Sequence, residues 1–255
     1  MTTGAQPASA PAAPAPRFIV ESGREVVAVT ADQMREIDRI AIEETGPNLF
    51  QMMENAGRSL ADLVLERLGS RWRAARIVVL AGSGGNGGGG ICAARHLANR
   101  RADVWLVLAE RRRLDPVTAW QYTVFRSTEG REQTSLDPGG QPVDLVVDAL
   151  IGYSLHGPPR GAAMDLIRWT NDSGAVVVAL DVPSGLDATT GAAPGEVVRA
   201  HATMTLALPK TGLSAPTVGE LELADLGIPA ATFRRAGLNY VSPFADRFRI
   251  PLRLA

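Results

Sequence analysis

The chain has 255 residues, 45% hydrophobic and 21% charged, a globular balance with enough length for one large α/β domain. A formal net charge of −1 supplies no overall field for nucleic acid or an acidic membrane surface, and no apolar run approaches the roughly 20 residues that span a bilayer. The lone Cys92 excludes an internal disulfide and fits a reducing, cytoplasmic setting, while His96, His156 and His201 lie too far apart for zinc-ligand spacing.

Residues 1–16 are rich in alanine and proline and lack the basic and apolar regions of a signal peptide, so they read as a disordered extension. A single folded domain is expected over 17–240, with 241–255 as a C-terminal tail and no kinase-like domain after it. Thr30 and Gln33 have capping-box spacing, ahead of a helix with Met34, Ile37 and Ala41 at helical intervals. Gly46-Pro47 stops it. A second helix runs from about Asn48 to Leu68, with Phe50, Met53, Leu60, Leu63 and Val64 on its apolar side. Gly57 inside that helix is unfavourable by roughly 1 kcal/mol against alanine, which a close packing contact would explain.

From Arg76 onward short β-branched runs alternate with helical stretches. Strands are expected at Ile77–Leu80, Val104–Ala109, Leu145–Val147, Ala175–Leu180, Ala202–Leu208 and Glu220–Leu223. Helices are expected from about Ile91, around Val117–Ser127 and over about Ala163–Asn171, and Asp137–Pro142 reads as a loop. This alternation predicts right-handed crossovers and a mostly parallel sheet covered on both faces. Ligands of such sheets bind at the carboxyl ends of the strands, and three of those ends carry unusual residues. They are the glycine run after Leu80, Asp148 after Val147 and Asp181 after Leu180.

Seven of the nine residues Gly82–Gly90 are glycine, which suits a loop whose backbone N–H groups approach polar or phosphate oxygens. Gly82-Ser-Gly-Gly-Asn-Gly87 also satisfies the dinucleotide-binding fingerprint, with Glu110 placed 23 residues later as a ribose acid. Against that dehydrogenase reading, Gly88–Gly90 oppose the helix start the fingerprint requires. No Gly-Lys-Ser/Thr ends the run, which excludes a P-loop. Asp148 opens a glycine-containing loop that reads equally as suited to a cation or a hydroxyl and as a turn or helix cap, and His156 within that loop reads as surface. Asp181, directly after an apolar strand, is the candidate acid–base group through its desolvation. Lys210 reads equally as a phosphate contact or a solvated side chain, and Arg111–Arg113 as a solvated face.

Taken together, these segments resemble the NAD(P)H-hydrate epimerase family, the N-terminal domain of the bifunctional nicotinamide nucleotide repair proteins. The similarity is carried by Met34-Arg-Glu-Ile-Asp38, Met53-Glu-Asn-Ala-Gly57, the glycine run with Ala93-Ala-Arg-His-Leu97, Asp148-Ala-Leu-Ile-Gly152, Asp181-Val-Pro-Ser-Gly185, Pro209-Lys-Thr-Gly-Leu213 and Asp225-Leu-Gly-Ile-Pro229. The resemblance implies a three-layer αβα Rossmann-like fold, a homodimer, and an isomerase of metabolite repair. Its substrates would be NADHX and NADPHX, hydrated at C6 of the nicotinamide ring, whose R and S forms it would interconvert beside a separate dehydratase. The same resemblance places a potassium ion on Asn86, Asp148 and Ser184, all offering oxygens as a hard cation requires. It places substrate on Gly85, Asn86, Gly87, Gly88, Gly89, Gly152, Tyr153, Ser154, Leu155, His156, Gly157, Pro158 and Asp181, with Asp181 as the catalytic group. Where the family reads Asn-Asn-Gly-Gly-Asp-Gly, this chain reads Gly85-Asn-Gly-Gly-Gly-Gly90. The loss of an amide and a carboxylate keeps open a nucleotide-binding or scaffold module without turnover.

Overall fold

The structure, a computed structural model, describes residues 16–134 and 142–255. The expected N-terminal extension, apart from residue 16, and most of the expected loop at 137–142 lie outside the described residues.

A short antiparallel pair, β1 (Phe18–Val20) and β2 (Glu25–Val26), precedes helix α1 (Ala31–Ile40). Thr30 and Gln33 close the capping box, with Gln33 N donating to Thr30 Oγ1 at 3.2 Å and Thr30 N to Gln33 Oε1 at 2.9 Å. One π-helical turn at Ala41–Thr45 carries α1 to Gly46, and Asn48 with Gln51 then forms a second capping box for α2 (Leu49–Leu68). The alternating part follows as β3 (Arg76–Ala81), α3 (Gly85–Ala98), β4 (Asp103–Leu108), α4 (Pro116–Phe125), β5 (Arg131–Gln133), β6 (Leu145–Ala149), α5 (Gly161–Asp172), β7 (Val176–Leu180), β8 (Ala202–Leu206), β9 (Glu220–Ala224), α6 (Ala230–Arg235) and β10 (Arg249–Leu254).

All ten strands form one sheet, in the order β2-β1-β10-β9-β8-β7-β6-β3-β4-β5. From β9 to β5 the neighbours are parallel, while β10 pairs antiparallel with both β9 and β1. Successive strand residues face opposite sides. Ile77, Val79 and Ala81 of β3 pack with α2 and α3, whereas Val78 and Leu80 pack with Leu166 and Ile167 of α5. The result is the three-layer αβα architecture expected from the alternation. Among the described residues no helix is long and apolar enough to cross a membrane.

Several expectations change. The helix after the glycine run begins at Gly85, not near Ile91, so most of the run is helix and not loop. Packing outweighs propensity here. A Cβ on Gly87 would lie 1.9 Å from the Gly82 carbonyl oxygen, and one on Gly90 would lie 2.4 Å from Ala149 Cβ. The glycines let α3 lie against the strands, and burial of the following Ile91–Ala94 offsets their poor helix propensity. Within the stretch expected as a tail, β10 lies between β1 and β9. Three further strands, β1, β2 and β5, have two or three residues each, too short to have shown a period. Gly57 does mark a close contact, since a Cβ there would lie 2.5 Å from Cys92 Cβ.

Candidate active site

The parallel strands change direction of succession between β3 and β6. From β3 the chain moves outward to β4 and β5, then returns to β6 and proceeds through β7, β8 and β9. Such a switch leaves a crevice beyond the carboxyl ends of the strands. A cavity of about 310 Å³ lies there, walled by the start of α3 (Gly85, Asn86, Gly89), the loop after β6 (Gly152, Tyr153, Ser154), Asp181, and Asp38 of α1. Ile42, Met52, Met53 and Leu226 supply apolar wall. A larger cavity of about 580 Å³, between α2, α3 and the C-terminal segment, takes Asp225 and Gly227 after β9 into its wall but no residue that directly follows β3, β6 or β7.

Asp148 sits inside β6 and is fully buried. It accepts hydrogen bonds from Ser184 N at 2.8 Å, Ser184 Oγ at 2.6 Å and Leu150 N at 3.2 Å. Burial nonetheless pushes its carboxyl up to about 6, the hydrogen bonds from Ser184 and Leu150 opposing the rise. Asn86, the second residue of α3, faces the cavity, and its side-chain Nδ2 is buried without a partner. Amide nitrogen and oxygen are exchangeable by a flip. Such an oxygen would be of the same hard donor type as the Asp148 carboxylate and the Ser184 hydroxyl, which are hydrogen-bonded to each other.

Asp181 follows β7 in a left-handed conformation, φ 67°. It is buried, and the Lys210 ammonium forms an ion pair with it. Leu206 N donates to Asp181 Oδ1 at 3.3 Å and Tyr153 N to Oδ2 at 3.2 Å. Lys210 is 1% exposed, so it is neither solvated nor a free phosphate contact. Its ammonium also donates to the Leu206 carbonyl at 2.9 Å, and a parallel bridge with Val29 fixes its backbone. Sequence patterning missed this pairing because no spacing links positions 181 and 210.

A second carboxylate was missed in the same way. Asp38 Oδ2 accepts a hydrogen bond from the Tyr153 hydroxyl at 2.5 Å. Burial pushes Asp38 up, with Tyr153 and Lys210 opposing the shift and Asp181 adding to it. Tyr153 is also pushed up, by burial first and by Asp38 next. Lys210 Nζ lies 5.8 Å from the centre of the Tyr153 ring. The only sequence signal for Asp38 was its place in the Met34–Asp38 segment.

Of the substrate positions expected by resemblance, the cavity gathers Gly85, Asn86, Gly89, Gly152, Tyr153, Ser154 and Asp181. Gly87 and Gly88 are buried in the packing of α3, and Leu155, His156, Gly157 and Pro158 lie outside the cavity wall. Glu110 is exposed and also outside it. Among the described residues one cluster of metal-ligating types does form, from Glu54, Cys92 and His96. Arg95 Nη2 occupies its middle, 2.5 Å from Glu54 Oε2, 3.3 Å from Cys92 Sγ and 3.4 Å from His96 Nε2. A guanidinium already neutralises this cluster.

Residues 49–212 match the family described as YjeF-related protein N-terminus. The chain belongs to this family. It is 51% identical over 237 residues to an NAD(P)H-hydrate epimerase of Dehalogenimonas lykanthroporepellens, covering 92% of this chain and 97% of that protein. An NAD(P)H-hydrate epimerase of Truepera radiovictrix is 36% identical over 84% of this chain and 97% of its own length. A bifunctional NAD(P)H-hydrate repair enzyme of Salinibacter ruber is 37% identical, and there the match spans 42% of the longer protein. A crystal structure of the yeast protein ynu0 superposes with a TM-score of 0.76 at 22% identity, over 89% of this chain and all of that one, which shows the fold.

Proposed function

We infer that this YjeF-related chain is an NAD(P)H-hydrate epimerase, which interconverts the R and S forms of NADHX and NADPHX. The observation that carries this reading is the buried Asp181–Lys210 pair on a cavity at the sheet's switch point. The reaction removes and restores one stereocentre without net oxidation. It therefore requires proton-handling groups in a cavity able to take a nicotinamide ring, and the apolar wall from Ile42, Met52, Met53 and Leu226 suits that ring. Asp181 is the acid–base group in this reading, and Lys210 keeps its charge compensated and its position fixed. The start of α3 offers unpaired N–H groups to the nucleotide. Asn86, Asp148 and Ser184 are the residues that would hold a potassium ion, which would supply a fixed positive charge for substrate oxygens. The enzyme would act in the cytoplasm as a homodimer, and the bifunctional relatives support coupling to a dehydratase.

The test is chiral chromatography of R-enriched NADHX incubated with the protein, in potassium chloride and in choline chloride. The expected outcome is accelerated R/S exchange that depends on potassium and falls by roughly 10²–10⁴-fold in Asp181→Asn. Exchange no faster than in buffer at saturating protein and potassium would leave the non-catalytic nucleotide-binding module as the reading.

A further inference from the structure

The cavity holds two carboxylate systems, and they differ in charge. Asp181 has the Lys210 ammonium against it and backbone N–H groups from Leu206 and Tyr153. Asp38 has no ion pair among the described residues. Its one side-chain hydrogen bond is from the neutral Tyr153 hydroxyl, at 2.5 Å. A phenol that commits its only proton to a carboxylate retains lone pairs alone, so it meets a further ligand as an acceptor. Asp38 and Tyr153 both line the cavity that Asp181 lines. A carboxylate backed by a phenol is thus placed beside a carboxylate backed by an ammonium.

We propose that Tyr153 exchanges a proton with the C6 hydroxyl of the hydrated nicotinamide, and that Asp38 is the positioning residue that receives the phenolic proton in return. This rests on the epimerase reading and assigns the second proton-handling group of that same site. The hydroxyl O–H bond breaks and its proton goes to the Tyr153 oxygen, while the Tyr153 proton passes to Asp38. The C6–N1 electron pair goes to N1 as a carbonyl forms at C6, and N1 takes a proton from the Asp181–Lys210 pair. In the open chain C6 is planar. Closure on either face runs the same transfers backwards, returning each proton to its origin, so no oxidant or co-reactant enters. Asp38 must be ionised to receive the proton. The groups facing it are Tyr153 from the loop after β6, Asp181 after β7 and Lys210 after β8, and Arg35 of α1 adds its charge near Tyr153. Burial disfavours the charged form of Asp38, so the acid limb of the rate lies above the ordinary carboxylate range.

The experiment compares wild type, Tyr153→Phe and Asp38→Asn by kcat, KM and the pH profile of kcat for R/S exchange of NADHX, with thermal melts of all three. Tyr153→Phe keeps the ring in place and removes only the oxygen. It is expected to lower kcat about 10²-fold with KM changed less than about threefold. Asp38→Asn is expected to lower kcat and abolish the acid limb. An active wild type with unchanged kcat in Tyr153→Phe would overturn this assignment while leaving the epimerase reading intact. So would a lowered melting temperature alongside an unchanged pH profile in both variants. A wild type that does not exchange R and S would overturn the epimerase reading itself, and this assignment with it.

Discussion

At the scale of single residues, Lys210 shows what sequence patterning does not reach. A lone lysine after a strand is usually solvated, yet this one is buried against a carboxylate 29 positions earlier. Removing one partner of a buried ion pair leaves the other charge uncompensated, which is costlier than the pair is stabilising. Lys210→Met is therefore expected to lose about 3–5 kcal/mol of stability, measured by urea denaturation, besides impairing turnover. Full stability in that variant would mean that Asp181 is compensated by other groups. The glycines divide on the same physical basis. Gly87 and Gly90 have a backbone oxygen or a fixed Cβ where a side chain would go. Gly85 would place a Cβ no closer than 3.7 Å to Met53 Cε, and Gly89 would meet only the tip of Leu180, at 2.9 Å. Those two are the positions where the resemblance to the family expects asparagine and aspartate, and at Gly85 the packing leaves room for a side chain.

At the scale of elements, the contact between α2 and α3 decides how the glycine-rich helix sits. Gly57 brings the helices close enough that an added Cβ would lie 2.5 Å from Cys92 Cβ and Sγ and 2.9 Å from the Ala93 nitrogen. Gly57→Ala improves helix propensity by roughly 1 kcal/mol. Overpacking against a backbone atom opposes it by about 1–3 kcal/mol. The expected outcome is a lower melting temperature, contrary to the propensity scale, and a raised one would show that α2 can shift away from α3. Beside this contact, Glu54 pairs with the Arg95 guanidinium and hydrogen-bonds His96 Nε2 at 2.8 Å, which ties the two helices together. Burial pushes the Cys92 thiol up to about 12, with Glu54 adding to the rise, so this cysteine is a packing residue and not a thiolate. Expecting α3 to start near Ile91 followed correctly from helix propensity, and failed because the glycines are spent on close approach to β3, β6 and α2.

At the scale of the whole molecule, β10 closes the sheet between β9 and β1, with Ile250 and Leu252 buried. Arg249 at its start pairs with Glu222 at 3.0 Å and with Asp62 at 3.2 Å. Deleting residues 249–255 removes two buried aliphatic side chains, each worth about 1.5–3 kcal/mol, and opens the edges of β9 and β1 to association. The truncated chain is expected to melt earlier and to aggregate, read by calorimetry and light scattering. A soluble product with an unchanged melting temperature would show that the parallel strands suffice alone.

The α/β class, the central parallel strands and the capped helices α1 and α2 were legible in the sequence because each rests on local period and local hydrogen bonding. Strand ends were legible as the place of the candidate cavity for the same reason, since a parallel sheet presents all those ends at one edge, and Gly85 and Asp181 line it. Tertiary structure alone decided β1, β5 and β10, each paired with a strand distant in sequence, and the two-residue β2 that pairs only with β1. It alone also set Lys210 against Asp181 and Tyr153 against Asp38. Each of these pairs joins residues from separate elements, and no spacing along the chain encodes a distance across the end of a sheet.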